Sequence, residues 1–229
     1  MVFKDRSAGR QDRSPRKYHL LELFIARTPD DPRHVMPDIQ DRHRRILDVG
    51  CGAGQTLIAS HLNPDILAVG VDMDLKALVF GTELTKSVRF VGGAAENLPF
   101  ADRAFDLVIA RVVLPLTFIP AAMMEIGRVL RPGGEAWLVL HSFSASLRHL
   151  VKSLLNLRLK QAFYRSYVLI NGLIFHLSGR MFPISPGGHF ETFQTDRMIR
   201  RELQAACFGN IRINRGLQYV VTAEKREQD

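Results

Sequence analysis

Ile46-Leu47-Asp48-Val49-Gly50-Cys51-Gly52-Ala53-Gly54 is the stretch whose reading decides the fold. Ile46, Leu47, Val49 and Cys51 make a short, nearly continuous apolar run, which suits a strand buried on both faces of a parallel sheet. Glycines follow at alternate positions, and Thr56 to Leu62 then reads as a helix. Strand, glycine turn and helix together form a nucleotide-binding element. The glycines let the backbone turn sharply and let a ligand approach without meeting a Cβ. The helix N-terminus adds free N–H groups and the positive end of a dipole. The dinucleotide fingerprint Gly-x-Gly-x-x-Gly fails, because Gln55 stands three residues after Gly52 and Leu57 three after Gly54. A phosphate-binding P-loop fails as well, since no Gly-Lys-Ser/Thr follows. What remains is acidic-x-Gly-x-Gly-x-Gly, from Asp48 to Gly54.

Working outward, Ile66 to Asp72 is a second apolar strand ending in an acid, 24 residues after Asp48. In a βαβ unit this spacing brings Asp72 beside the glycine turn, where a carboxylate can accept both hydroxyls of a ribose. The competing role is capping of the next helix, for which Asp74 is also available. Leu75 to Leu84 reads as that helix, Val88 to Gly92 as a third strand and Phe105 to Ala110 as a fourth, ending at Arg111. Ala121 to Leu130 reads as a helix, closed by Arg131-Pro132-Gly133-Gly134. Ala136 to Leu140 is a fifth strand, reaching His141. Strands alternating with helices predict a parallel sheet with right-handed crossovers and helices on both faces.

Asp48 to Gly54 resembles motif I of the class I S-adenosylmethionine (SAM) dependent methyltransferases. Gly93-Ala94-Ala95-Glu96-Asn97-Leu98-Pro99-Phe100 is similar to a segment of the subfamily that includes quinone-biosynthesis and sterol methyltransferases. The resemblance runs from about residue 44 to 141. It implies a Rossmann-like α/β fold with a seven-stranded sheet ending in an antiparallel hairpin, and SAM as cofactor. It implies that Asp48, Gly50, Cys51, Gly52 and Gly54 hold the methionine moiety and that Asp72, with Met73 beside it, holds the ribose. Ala95 and Glu96 would then flank adenine, and the Arg111 backbone would lie near the methionine end. Two positions depart from the pattern. Ala94 replaces an Asp that accepts from the adenine amine, and Pro115 stands where many relatives carry a His. The Asn/Asp-Pro-Pro-aromatic and Pro-Cys motifs of nucleobase methyltransferases are absent.

Residues 1–43 read as a basic, Arg- and Ser-rich tail (1–17) followed by a short helix, Tyr18 to Arg27. Residues 44–229 read as the methyltransferase domain, with a helical cap insertion at about 142–194. In the insertion Leu147, Leu150, Val151, Leu154 and Leu155 recur at helical spacing, decorated by Arg148, Lys152, Arg158 and Lys160. A second helical stretch, Phe163 to Leu177, has Gly179 as its expected cap. Asp196 to Ala206 reads as the last helix. Ile211–Ile213 and Gln218–Ala223 read as the closing hairpin.

The net charge of +8 is unevenly spread. Residues 18–143 carry twelve basic and fifteen acidic side chains; residues 144–229 carry thirteen basic and six acidic. A solvated surface explains this, as would an anionic membrane or nucleic acid partner. Two distant cysteines and a polar N-terminus without an apolar core predict a reducing cytoplasm. No metal-ligand spacing stands out. The expected function is methyl transfer to a small, lipophilic or aromatic acceptor. The alternatives are an RNA or protein methyltransferase and a non-catalytic SAM-binding protein. A carbon or hydroxyl acceptor needs a general base, and His141 is the first candidate, with His189, Glu191 and Tyr164 behind it.

Overall fold

The computed structural model describes residues 15–185 and 188–227. The expected tail therefore lies outside the described residues, apart from its last three, which open α1 (Pro15–Ala26). Five strands form the parallel part of the sheet: β1 (Arg45–Val49), β2 (Leu67–Asp72), β3 (Val88–Gly92), β4 (Phe105–Arg111) and β5 (Leu130–Leu140). β6 (Phe208–Arg215) and β7 (Tyr219–Lys225) complete it as an antiparallel hairpin, longer at both strands than the pattern predicts. The order is β3-β2-β1-β4-β5-β7-β6, with β7 inserted antiparallel beside β5.

β1 is central and buried on both faces, as its apolar run requires. Leu47 and Val49 join one core layer with Ile119, Met123 and Ile126 of α4 (Ile119–Val129) and with Met198 and Leu203 of α7 (Asp196–Ala205). Ile46 joins the opposite layer with Leu57 of α2 (Gln55–Ala59), Leu107 and Trp137. The strand order reverses at β1, with β2 on one side and β4 on the other. In open α/β sheets such a reversal opens a crevice at the carboxyl ends of the strands.

Three local differences from the sequence pattern have physical causes. First, α2 stops at Ala59: the Ser60 hydroxyl donates back to the Thr56 carbonyl, and His61 turns to φ +45. Second, β5 starts directly at Leu130, without a glycine closing α4. Gly133 sits at φ +73 in a bulge, where Leu130 pairs with Phe105 and Glu135 with Leu107. Third, no helix links β3 to β4. Side chains of α4 hold that crossover in place: Arg128 donates to the Leu98 and Phe100 carbonyls and to Asp102, while Glu125 accepts from the Leu98 amide. Charged partners give hydrogen bonds worth ~1.5–3 kcal/mol each when well shielded. Because Arg128 is partly exposed, Arg128→Met is expected to cost about 2 kcal/mol in urea unfolding. A loss within experimental error would show that the crossover stands without it.

The insertion leaves and returns at one point. The Gln194 amide donates to the His141 carbonyl (2.8 Å), and the Gln194 side chain accepts from the His141 amide (3.0 Å). Between these ends lie α5 (Phe143–Leu155), capped by Ser142, and α6 (Leu159–Ser178), ended by Gly179 at φ +75 as expected. Of the periodic apolar residues of α5, Leu150 is half-buried and the other four do not pack inward. The buried residues of this helix are Ser146 and Ser153, whereas Leu147, Val151, Leu154 and Leu155 are exposed. Among the described residues, no helix is long and apolar enough to cross a membrane.

Candidate ligand-binding site

All three motif glycines turn left-handed, at φ +69, +56 and +79 for Gly50, Gly52 and Gly54. At Gly50 the need for glycine is also steric: a Cβ would lie 2.5 Å from Val113. The turn is pinned to β2, because the Gly50 and Cys51 amides both donate to the Val71 carbonyl. Gly54 precedes α2 and faces inward, where a Cβ would meet the Phe90 ring at 2.8 Å.

A cavity of about 650 Å³ opens at the ends of β1, β2 and β4. Asp48, Gly50, Cys51 and Gly52 form its floor, and Asp72 and Met73 one side. Ala95, Glu96 and Arg111 complete the predicted set; Gly54 alone among the expected binding residues does not line it. Asp48 is 1% exposed, and its Oδ2 is buried with no hydrogen-bond partner. Burial pushes its carboxyl up to about 7, with Arg111 opposing the shift and Asp72 adding to it.

Asp72 and Asp74 divide the two roles open to them. Asp74 caps α3 (Leu75–Leu84), accepting from the Lys76 and Ala77 amides. Asp72 accepts from the Gly52 amide at 2.7 Å and from the Asp74 amide at 2.8 Å, one at each oxygen. Each oxygen keeps a further lone pair for a ligand. Glu96 spends one oxygen on the Phe118 amide, 2.9 Å away, which fixes its carboxylate at the cavity wall.

A further part of the wall comes from α1, a helix to which the sequence pattern assigns no role. Tyr18, His19 and Glu22 all face the cavity. Glu22 accepts from the Arg111 guanidinium at 3.2 Å, so this side chain, and not only the backbone, stands at the site. Gln55 Nε2 donates to His19 Nδ1 (2.8 Å), leaving the ring proton on Nε2. Burial lowers the His19 pKa and raises that of Tyr18 to about 12. The available signal was Tyr18 and Glu22 at i, i+4, a polar pair on one face of α1.

His141 does not reach this cavity. It sits where the insertion closes, and burial lowers its pKa to about 4. Tyr164 donates to Glu191, which also pairs with Arg165 at 3.0 Å; this partly buried network ties α6 to the returning chain, and none of the three residues lines the cavity. From the insertion, Gly188 and His189 line the cavity, and no residue of α5 or α6 does.

Residues 46–134 match a family described as a methyltransferase domain. The demethylmenaquinone methyltransferase of Chlorobaculum tepidum is 32% identical over 100 residues, 43% of this chain and 41% of that protein. That of Roseiflexus castenholzii is 42% identical over 94 residues, 39% of this chain and 40% of that protein. The chain spans about two fifths of the length of these curated relatives. Among solved structures, a SAM-dependent methyltransferase of Methanosarcina mazei superposes with a TM-score of 0.55 at 20% identity, covering 83% of this chain and 95% of that one. The fold is therefore the class I methyltransferase fold, and the stretch from β1 into β5 is related in sequence to quinone-biosynthesis methyltransferases.

Proposed function

We propose that this chain, a relative of the class I SAM-dependent methyltransferases, binds SAM in the cavity at the ends of β1, β2 and β4 and methylates a small lipophilic or aromatic acceptor. The observation that carries the reading is the pair of carboxylates, Asp48 and Asp72, on either side of the glycine turn. The buried, unpartnered Oδ2 of Asp48 suits an ammonium group, and the lone pairs of Asp72 suit a ribose diol. When bound, SAM supplies a methyl group already activated by a sulfonium. The protein positions the acceptor, excludes water and removes a proton where the acceptor requires it. Asp48 takes the α-ammonium and Arg111 stands beside it for the carboxylate. Asp72 takes the ribose, with Ala95 and Glu96 along the adenine. His189, at the cavity, is the histidine placed to accept a proton from a hydroxyl or carbon acceptor.

The acceptor class is supported by the relatives, whose names specify demethylmenaquinone, and by the absence of the nucleobase motifs. The test is methyl-labelled SAM supplied with reduced naphthoquinone-type acceptors and, separately, with total RNA and protein. Label that partitions into organic solvent is expected. Label found only in RNA or protein would favour the second reading, which the thirteen basic side chains of residues 144–229 support. Binding without transfer to any acceptor would leave a SAM-binding protein without catalysis, the reading that Ala94 and Pro115 keep in play.

A pH dependence follows from Asp48. Its folded pKa, about 7, lies above that of an unfolded Asp, so the ligand-free protein is most stable with Asp48 protonated. That stability is lost as pH rises from about 4 to about 7 and changes no further above it. An ammonium ligand needs the carboxylate. Binding of S-adenosylhomocysteine is thus expected to weaken below pH 7, by up to ~10-fold per unit, with proton release measurable in two buffers. In Asp48→Asn this dependence should vanish, while the ligand-free Tm rises at pH 8 more than at pH 5. A wild-type affinity flat between pH 5.5 and 8 would remove Asp48 from the ammonium role.

A further inference from the structure

The insertion carries a surface that the cavity does not use. From residue 136 to residue 190 the chain has six Lys or Arg and no Asp or Glu. Three residues, 156–158, join α5 to α6, so the two helices fold back on one another as a hairpin and pack together. Its tip is Leu154-Leu155-Asn156-Leu157-Arg158-Leu159-Lys160. Leu155, Leu157, Leu159 and Phe163 are 79%, 83%, 73% and 77% exposed. Leu157 is held at φ +52, a conformation unfavourable for a β-carbon-bearing residue, and its side chain gains no internal packing in return.

Along α5 the polarity is inverted relative to a core helix. Ser146 and Ser153 are buried, while Phe143, Leu147, Val151 and Leu154 form an outward stripe. Arg148 and Lys152 each stand one position, about 100° of helix, beyond Leu147 and Val151, so they border that stripe. On α6, Leu159, Phe163, Ile170, Leu173 and Leu177 recur on one exposed face. Monomeric proteins rarely leave a contiguous apolar face of this kind uncovered.

We propose that the α5–α6 hairpin docks on an anionic lipid bilayer, its leucine tip entering the interface and Arg148, Lys152, Arg158 and Lys160 meeting the headgroups. Charge decides the occupant. A wholly basic border with no acidic residue for 55 positions matches anionic lipid. A second copy of the same surface would set like charge against like. Nucleic acid matches the charge but leaves the leucines without a partner. Neither helix spans, so the hairpin lies in the plane of the interface. The inference is independent of the methyl-transfer reading, since it concerns a surface outside the cavity.

The test is flotation of the full chain with vesicles of phosphatidylcholine alone and of phosphatidylcholine with one third phosphatidylglycerol. Wild type is expected to float with the anionic vesicles and to stay behind with the neutral ones. Leu155→Ser/Leu157→Ser/Leu159→Ser is expected to weaken this binding by ~10-fold or more, and Lys152→Glu/Lys160→Glu to abolish the preference for phosphatidylglycerol. All these side chains are exposed, so both variants should keep the wild-type Tm and the wild-type affinity for S-adenosylhomocysteine. Wild type that does not float with anionic vesicles overturns the proposal. So does a micromolar dimer that the triple serine variant dissolves, or retention by RNA that the vesicles do not compete away.

Discussion

Asp72→Ala is expected to weaken S-adenosylhomocysteine binding by two orders of magnitude or more. The wild-type carboxylate offers both oxygens to a ribose diol, and hydrogen bonds to a charged group contribute ~1.5–3 kcal/mol each. Two of them amount to at least ~3 kcal/mol, a factor of roughly 100 in Kd. The variant also loses the acceptors of the Gly52 and Asp74 amides, so the turn itself loosens. Asp72→Asn is the intermediate case: its carbonyl oxygen still accepts, but its NH2 turns a donor toward one of the two backbone amides, so a loss nearer tenfold is expected together with a lowered Tm. Equal affinities for wild type and Asp72→Ala would place the ribose elsewhere.

The second large effect falls on stability. Gly50→Ala forces a Cβ to 2.5 Å from Val113 while holding a left-handed backbone at φ +69. The backbone term costs ~1–2 kcal/mol and the overpacking a further ~1–3 kcal/mol. In a chain of this size each kcal/mol lowers Tm by ~2–4 °C, so a fall of roughly 5–15 °C is expected by calorimetry. Val113 Cβ is itself one of the clashing atoms, at 2.5 Å, so combining Gly50→Ala with Val113→Gly, which removes it, should recover the steric part and leave the backbone part. A double-mutant cycle including Val113→Gly alone reads that coupling. A Tm within 2 °C of wild type for Gly50→Ala would mean that the turn relaxes without strain.

The core of this account was legible in the sequence because its signals are local. The apolar run of β1, alternate glycines at 50, 52 and 54, and an acid at the end of β2 place the turn and Asp72 without any long-range contact. Gly179 closing α6 is local in the same way. The rest depended on partners distant in the chain. The β3–β4 crossover does without a helix because Arg128 and Glu125, some 30 residues on, satisfy its backbone. Tyr18, His19 and Glu22 enter the cavity only because α1 packs on α2 and α3. His141 follows β5 into the point where the insertion closes, so its place at a strand end did not bring it to the cavity lining. The α5 stripe shows the limit most clearly. Helical periodicity says that one face is apolar; it does not say whether protein or something else covers that face.

The measurement that tests the central claim most directly is calorimetric titration of S-adenosylhomocysteine into the wild-type chain at pH 8. The account predicts one site per chain, micromolar affinity and heat that disappears in Asp72→Ala. A folded wild type that gives no binding heat at any temperature between 10 and 35 °C, where enthalpy changes sign at most once, would contradict it.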